Sequence, residues 1–163
     1  MIRPVVDLIT AQRYFPKGDS MRKLLVVVGC LFLLSAVTLA AEKKVVRPAG
    51  AQPSPSWSHG ILVGDTLYVS GMGGEDANGK IPADFDAEVK QALDNINAVL
   101  KAGGMSPSDV VSVQVYLTDG ATFERMNTVY RTFFSEPRPT RTTVVVAKLV
   151  GPGHIEITAT ARK

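Results

Sequence analysis

The chain is poor in the residues that metal, thiol and redox chemistry draw on. Among its 163 residues there is one cysteine, Cys30, and there are two histidines, His59 and His154. One thiol cannot close an intrachain disulfide or build a cysteine-ligated zinc site. The histidines lie far apart, each beside a glycine, so neither HExxH nor any other paired-histidine metal spacing is present. Both are expected in turns or at the surface. No Ser-His-Asp pattern and no phosphate-binding loop occurs, and Gly71-Met72-Gly73-Gly74 lacks the strand and helix that would make it an anion cradle. That glycine-rich run reads as a flexible connection. Excess positive charge is also lacking where it would matter. Residues 1–41 hold five Lys/Arg against two Asp/Glu, and the remainder holds 13 of each. A basic patch or excess is the electrostatic footprint of nucleic-acid binding, so no nucleic-acid partner is expected.

What is present begins with a leader. Met21 opens a second plausible start: Arg22-Lys23, an apolar run from Leu24 to Leu39, then Ala40-Ala41 before Glu42. A short positive segment, an apolar core and small residues at the exit describe a secretory signal peptide over residues 21–41. The run falls short of the roughly 20 residues of a membrane-spanning helix. Residues 1–20, with Pro4, Pro16 and Gly18 and no hydrophobic period, read as an over-extended start. The expected destination is the periplasm. A retained N-terminal anchor is the alternative, and only then would the protein have a membrane partner. Val27-Val28-Gly29-Cys30 loosely fits a lipoprotein box. Acylation there would leave Leu31–Leu39 on the mature protein, so cleavage after Ala40 or Ala41 is the preferred reading, and it leaves the domain without cysteine.

Residues 42–55 are charged, then rich in Pro, Ala, Gly and Ser, and read as a linker or an ordered arm. Residues 56–163 suffice for one small domain. His59–Val63 and Thr66–Ser70 flank Gly64-Asp65 as a hairpin. Phe85, Val89, Ala92, Leu93, Ile96, Val99 and Leu100 recur at helical spacing after the capping Asp84 and before Gly103-Gly104, with Glu88, Lys90, Asp94 and Asn97 assigned mostly to other faces. Val110–Leu117 alternates as a strand. Ala121–Phe134 is a second helix, striped by Phe123, Met126, Tyr130 and Phe133 and stopped by Glu136-Pro137-Arg138-Pro139. Arg141–Leu149 and Ile155–Ala161 are strands joined at Gly151-Pro152-Gly153. The order ββαβαββ implies an α+β domain, one mixed sheet with two helices packed on one face. Its other face is left uncovered, and Val144–Val146 is too apolar to sit in water, so the sheet is expected to oligomerise.

Two charges stand out in the apolar C-terminal strands. Glu156 begins a polar face continued by Thr158 and Thr160, and Arg141 opens the strand that runs on to Val146. Hairpin pairing of the two strands would set both at one end of the sheet. A guanidinium is a five-donor fork suited to a carboxylate ligand, and a nearby glutamate can orient or deprotonate water. A structural salt bridge explains the pair as well. Trp57 fits either a ligand wall or a core anchor.

Pro139-Thr140-Arg141-Thr142-Thr143-Val144 and Ile155-Glu156-Ile157-Thr158-Ala159 resemble the C-terminal signature of the Rid (reactive intermediate deaminase, or YjgF) family. Leu67–Gly71, Gln91–Ile96 and Met126–Phe134 match in order, so the similarity runs from about Ser56 to Arg162. The resemblance implies a chorismate-mutase-like fold and a homotrimer with three ligand clefts between subunits. It also implies hydrolytic deamination of reactive enamine/imine intermediates such as 2-aminoacrylate, giving 2-keto acids and ammonia without metal or organic cofactor. Arg141 would bind the substrate carboxylate and Glu156 would position the attacking water. Ser70, Gly71, Asn127, Thr143 and Trp57 would line the cleft. Three positions depart from the family pattern: Trp57 where deaminating members often have tyrosine, Met72 where glutamine is common, and Thr143 where some have cysteine. The alternative function is a non-catalytic binding protein for small carboxylates. A ribonuclease, a label some members carry, is disfavoured by the neutral domain and the lack of a histidine pair.

Overall fold

A computed structural model describes residues 41–163, and Ala41–Lys163 forms one compact unit. The expectations for residues 1–20, for the signal peptide and for Cys30 lie, apart from Ala41, outside the described residues. No helix among the described residues is long and apolar enough to cross a membrane. Six strands and two helices follow in the order β1 (Lys43–Val46), β2 (Gly60–Val63), β3 (Thr66–Met72), α1 (Phe85–Ala102), β4 (Val110–Leu117), α2 (Phe123–Phe133), β5 (Thr140–Val145) and β6 (Ile155–Arg162). They form one mixed sheet in the order β1-β2-β3-β6-β4-β5, with both helices packed against it. The first strand was not expected from the sequence. Lys43-Lys44-Val45-Val46 has no alternation to betray it, and pairing with β2 supplies its order.

Local chemistry accounts for the elements. Gly64 takes a φ of 59° in the turn joining β2 to β3, a value open to glycine at little cost. Asp84 caps α1 by accepting the Ala87 N–H at 3.0 Å, and Gly103-Gly104 follow its last residue. The buried stripe of α1 contains every apolar residue expected there, and also Glu88. On α2 the buried residues are Met126, Asn127 and Tyr130, while Phe123 is 37% exposed and Phe134, just past the helix, is buried in place of Phe133.

The expected hairpin between the two C-terminal strands does not form. β5 pairs parallel with β4, and β6 pairs antiparallel with β4 on its opposite side and with β3. β4, α2 and β5 make a βαβ crossover, which docks the new strand beside the one preceding the helix. The loop at Gly151–Gly153 then carries the chain across the end of β4 to the central slot. There Ile155, Ile157, Ala159 and Ala161 bury one face of β6 under the helices.

Candidate functional site

The topology places Arg141 and Glu156 on opposite faces of the sheet. Arg141 stands beside Val113, a buried residue of the helix-covered face, whereas Glu156 stands beside Tyr116 and alternates away from Ile155 and Ile157. They are also three β4 residues and two strand spacings apart, about 10 Å in each direction. The expectation that a hairpin brings them together is therefore wrong, and among the described residues they make no salt bridge with each other.

Arg141 is the centre of one cradle. Its guanidinium carbon lies 4.5 Å from the centre of the Tyr130 ring and 5.7 Å from that of Phe123, both on α2. Nη1 reaches only the weak acceptor Sδ of Met126, at 3.9 Å. The stacked faces hold the plane of the fork while leaving its N–H groups available, which is how an arginine is prepared for a carboxylate. Asn127 is 8% exposed on the same helix, with Nδ2 donating to Glu124 Oε1 at 3.2 Å. Thr143 follows Arg141 on the same strand face. Its Oγ1 is buried without a hydrogen-bond partner, and so is the Tyr130 hydroxyl. Burial raises the Tyr130 phenol above its ordinary pKa, partly offset by the charges of Arg141 and Arg138.

Glu156 belongs to a second cradle. An open groove of about 950 Å³ is walled in part by Trp57, His59, Gly71, Met72, Asn95 and Glu156. The pairing of β3 with β6 slips between Val69 and Met72, so Ser70 and Gly71 together oppose Thr158. Such a bulge re-aims the backbone at a strand end. Here it brings Gly71 so near Glu156 that a Cβ on it would collide with Oε1 of that carboxylate. Ser70 donates its hydroxyl hydrogen to the Ser58 carbonyl at 2.6 Å, and its N–H to the His59 carbonyl at 3.0 Å. It thereby fixes the segment that carries Trp57, which is 48% exposed with its ring 4.6 Å from that of His59. Of the residues singled out from sequence, Arg141 and Thr143 thus fall in one cradle, with Asn127 buried on the helix that walls it, and Glu156, Gly71 and Trp57 fall in the other, with Ser70 behind them.

The sequence reading set Glu88 among the polar residues on the other faces of α1, whereas the structure buries it in the stripe, and it gave His154 only a place in a turn or at the surface. The Glu88 carboxylate is 1% exposed and meets the His154 ring Nδ1 at 2.8 Å. Helical phase could have found it, since Glu88 lies three residues after Phe85 and four before Ala92, within the buried stripe. No cluster of side chains suited to a metal ion occurs among the described residues.

Comparison with known proteins places this architecture. Residues 48–163 match the family model described as Endoribonuclease L-PSP. The chain is 40% identical over 122 residues to a 2-iminobutanoate/2-iminopropanoate deaminase of Bos taurus, covering 73% of this chain and 89% of that one. It is likewise 40% identical over 114 residues to a RutC family protein of Saccharolobus solfataricus, covering 69% and 90%. Among solved structures, RidA from an Antarctic Psychrobacter is similar with a TM-score of 0.70 at 34% identity, covering 74% of this chain and 99% of that one. TdcF of E. coli, solved with bound serine, is similar with a TM-score of 0.67 at 32% identity, over the same shares. With two helices on a mixed six-stranded sheet and a family match spanning most of its length, the chain belongs to the Rid/YjgF/L-PSP family.

Proposed function

We propose that the protein hydrolyses reactive 2-imino and enamino acids to 2-keto acids and ammonia. The observation that carries the reading is the Arg141 guanidinium, held between aromatic faces with no carboxylate partner among the described residues. Relatives named as 2-iminobutanoate/2-iminopropanoate deaminases support the reaction class, and a related structure holding serine supports a small amino-acid-like ligand. Arg141 would bind the substrate carboxylate in bidentate fashion and orient the C=N carbon. Glu156 would take a proton from water as its oxygen adds to that carbon. That proton would pass to nitrogen to give the carbinolamine, and Glu156 would then carry the proton of the new hydroxyl to the amine as the C–N bond breaks, so that ammonia leaves and the carbonyl forms. Such a reaction asks for orientation and one proton shuttle. Asn127, Thr143 and Gly71 would line the cleft, and Trp57 would wall it.

Because Arg141 and Glu156 occupy opposite faces of one sheet, the cleft in this reading is completed between copies, in a homotrimer with three such sites. Export directed by residues 21–41 is part of the same proposal, and N-terminal sequencing of the expressed protein tests it. A mature N-terminus at Ala41 or Glu42 is the expected result and a retained Leu24–Leu39 segment would sink cleavage, while a peptide containing Arg13-Tyr14 would sink the reading of residues 1–20 as an over-extended start. The reaction is tested by following ammonia and keto-acid release from imines generated by an amino-acid oxidase. Wild type is expected to exceed Arg141→Ala by roughly 100-fold, the scale of losing a bidentate substrate clamp. Equal rates would refute the reading for those substrates.

One feature favours a second reading. Trp57 walls the groove beside Glu156, an indole can donate a hydrogen bond but cannot act as an acid, and no tyrosine lines that groove among the described residues. A binding protein for small carboxylates would give Arg141-dependent heat in calorimetry with no product. RNA cleavage lost in Arg141→Ala would displace both readings.

A further inference from the structure

We infer that a polar stripe on α1, made of Glu88 and Asn95, positions the Glu156 carboxylate. Glu88 Oε1 accepts the His154 N–H at 2.6 Å and the Ile155 N–H at 3.4 Å, and Oε2 lies 2.8 Å from His154 Nδ1. Ile155 is the residue before Glu156, so the anchor sits at the root of that side chain. Two turns along the same helix, Asn95 Nδ2 donates to the carbonyls of Gly73 and Glu75, each at 2.9 Å. Gln91, between them, donates to Asn95 Oδ1 at 3.0 Å and orients the amide. A Cβ on Gly74 would stand 2.5 Å from Glu88 Cγ and 2.6 Å from the Glu88 carbonyl oxygen, so the loop is seated directly on the helix. One helix face therefore grips both segments that confine Glu156: the end of β3 with the loop after it, Gly71–Glu75, whose first residue touches its carboxylate, and His154–Ile155 at the start of β6.

Energetics argue that this stripe has a purpose beyond packing. Position 88 lies in a stripe otherwise apolar, where leucine would be the default, and burying a carboxylate costs several kcal/mol unless it is well satisfied. Glu88 is satisfied almost wholly by the two residues preceding Glu156. Neither Glu88 nor Asn95 belongs to the Arg141 cradle, so the stripe should govern the chemical step and leave carboxylate capture alone.

This inference rests on the deaminase reading for its kinetic arm, and amide exchange supplies an arm free of it. In imine hydrolysis, Glu88→Leu and Asn95→Ala are each expected to lower kcat by about 10- to 100-fold with KM changed less than about 3-fold. Glu88→Gln keeps an oxygen able to accept the same backbone N–H groups and is expected to recover most of kcat. By hydrogen exchange, the His154 and Ile155 amides should be protected in wild type and Glu88→Gln, and exposed in Glu88→Leu. If wild type turns over no imine, the deaminase reading fails and the exchange pattern alone decides the anchor. If Glu88→Leu does not fold, Asn95→Ala and Glu88→Gln still decide. Wild-type kcat in folded Asn95→Ala, a Glu88→Gln variant as slow as Glu88→Leu, or amides that ignore residue 88 would each overturn the inference.

Discussion

At the scale of single residues, Gly71 leaves no room for a side chain beside Glu156, and this makes a sharp prediction. A methyl group at position 71 would meet Oε1 of Glu156, the far end of a flexible side chain that can swing away. The fold should therefore tolerate Gly71→Ala with little change in Tm, while the carboxylate loses its place. A displacement of about 1 Å at a reacting group costs on the order of 10²-fold in rate, so kcat for imine hydrolysis is expected to fall by that scale. Paired measurements of Tm and kcat check this, and an unaltered kcat would remove Glu156 from the mechanism. Arg141 and Glu156 were legible in the sequence because charge is conspicuous in apolar strands. Their mutual geometry was not, because strand alternation fixes a side chain's face only once the pairing partner is known. The burial of Glu88 was missed for the opposite reason. A glutamate in a helix reads as solvated unless its phase within the buried stripe is given more weight than its charge.

At the scale of elements, sequence and structure agree most closely on α1, where the cap, the period and the glycine stop act locally. The Asp84 carboxylate is held below its ordinary pKa of 3.8, first by the Ala87 N–H and then by Arg125, whose Nη2 lies 2.8 Å away. A depressed carboxylate stabilises the fold in its ionised form. The contribution is complete above the unfolded value of 3.8 and is lost as pH falls through the lower folded value. Asp84→Ala should thus lower Tm by a constant amount from pH 7 to about 4, and the gap should close below that. Thermal melts of the two proteins across this range test it, and a gap unchanged at pH 2.5 would contradict the capping role. The elements least legible in the sequence were those set by distant pairing. β1 is ordered only by β2, and β5 joins β4 through a crossover although a glycine-proline-glycine turn after it suggested a hairpin. Local turn chemistry lost to the constraint that a strand following a helix returns beside the strand before it.

At the scale of the molecule, the sheet's uncovered face and β5 edge matter most. Val144 and Val145 on the edge strand are 41% and 59% exposed, and Tyr68 on the open face is 53% exposed, whereas the opposite edge, β1, carries Lys43 and Lys44. Charged edges resist further pairing, and an apolar edge invites it. The two cradles lie on opposite faces of the sheet, so the contact that joins them in the proposed cleft is heterologous, with one copy giving Arg141 and its neighbour giving Glu156. Heterologous contacts close into rings when the rotation allows, and a trimer is the smallest such ring in which the two partners of every copy differ. The arrangement makes a prediction that a self-contained site cannot share. Arg141→Ala and Glu156→Gln should each be inactive alone. Co-expressed in equal amounts and mixed at random, they should recover about a quarter of wild-type activity, because one contact in four pairs an intact arginine with an intact glutamate. Light scattering verifies that mixed assemblies have formed, and the imine assay reads the recovery. Mixed trimers without activity would mean that the two cradles do not meet across subunits, and a monomer in solution would remove the shared cleft itself.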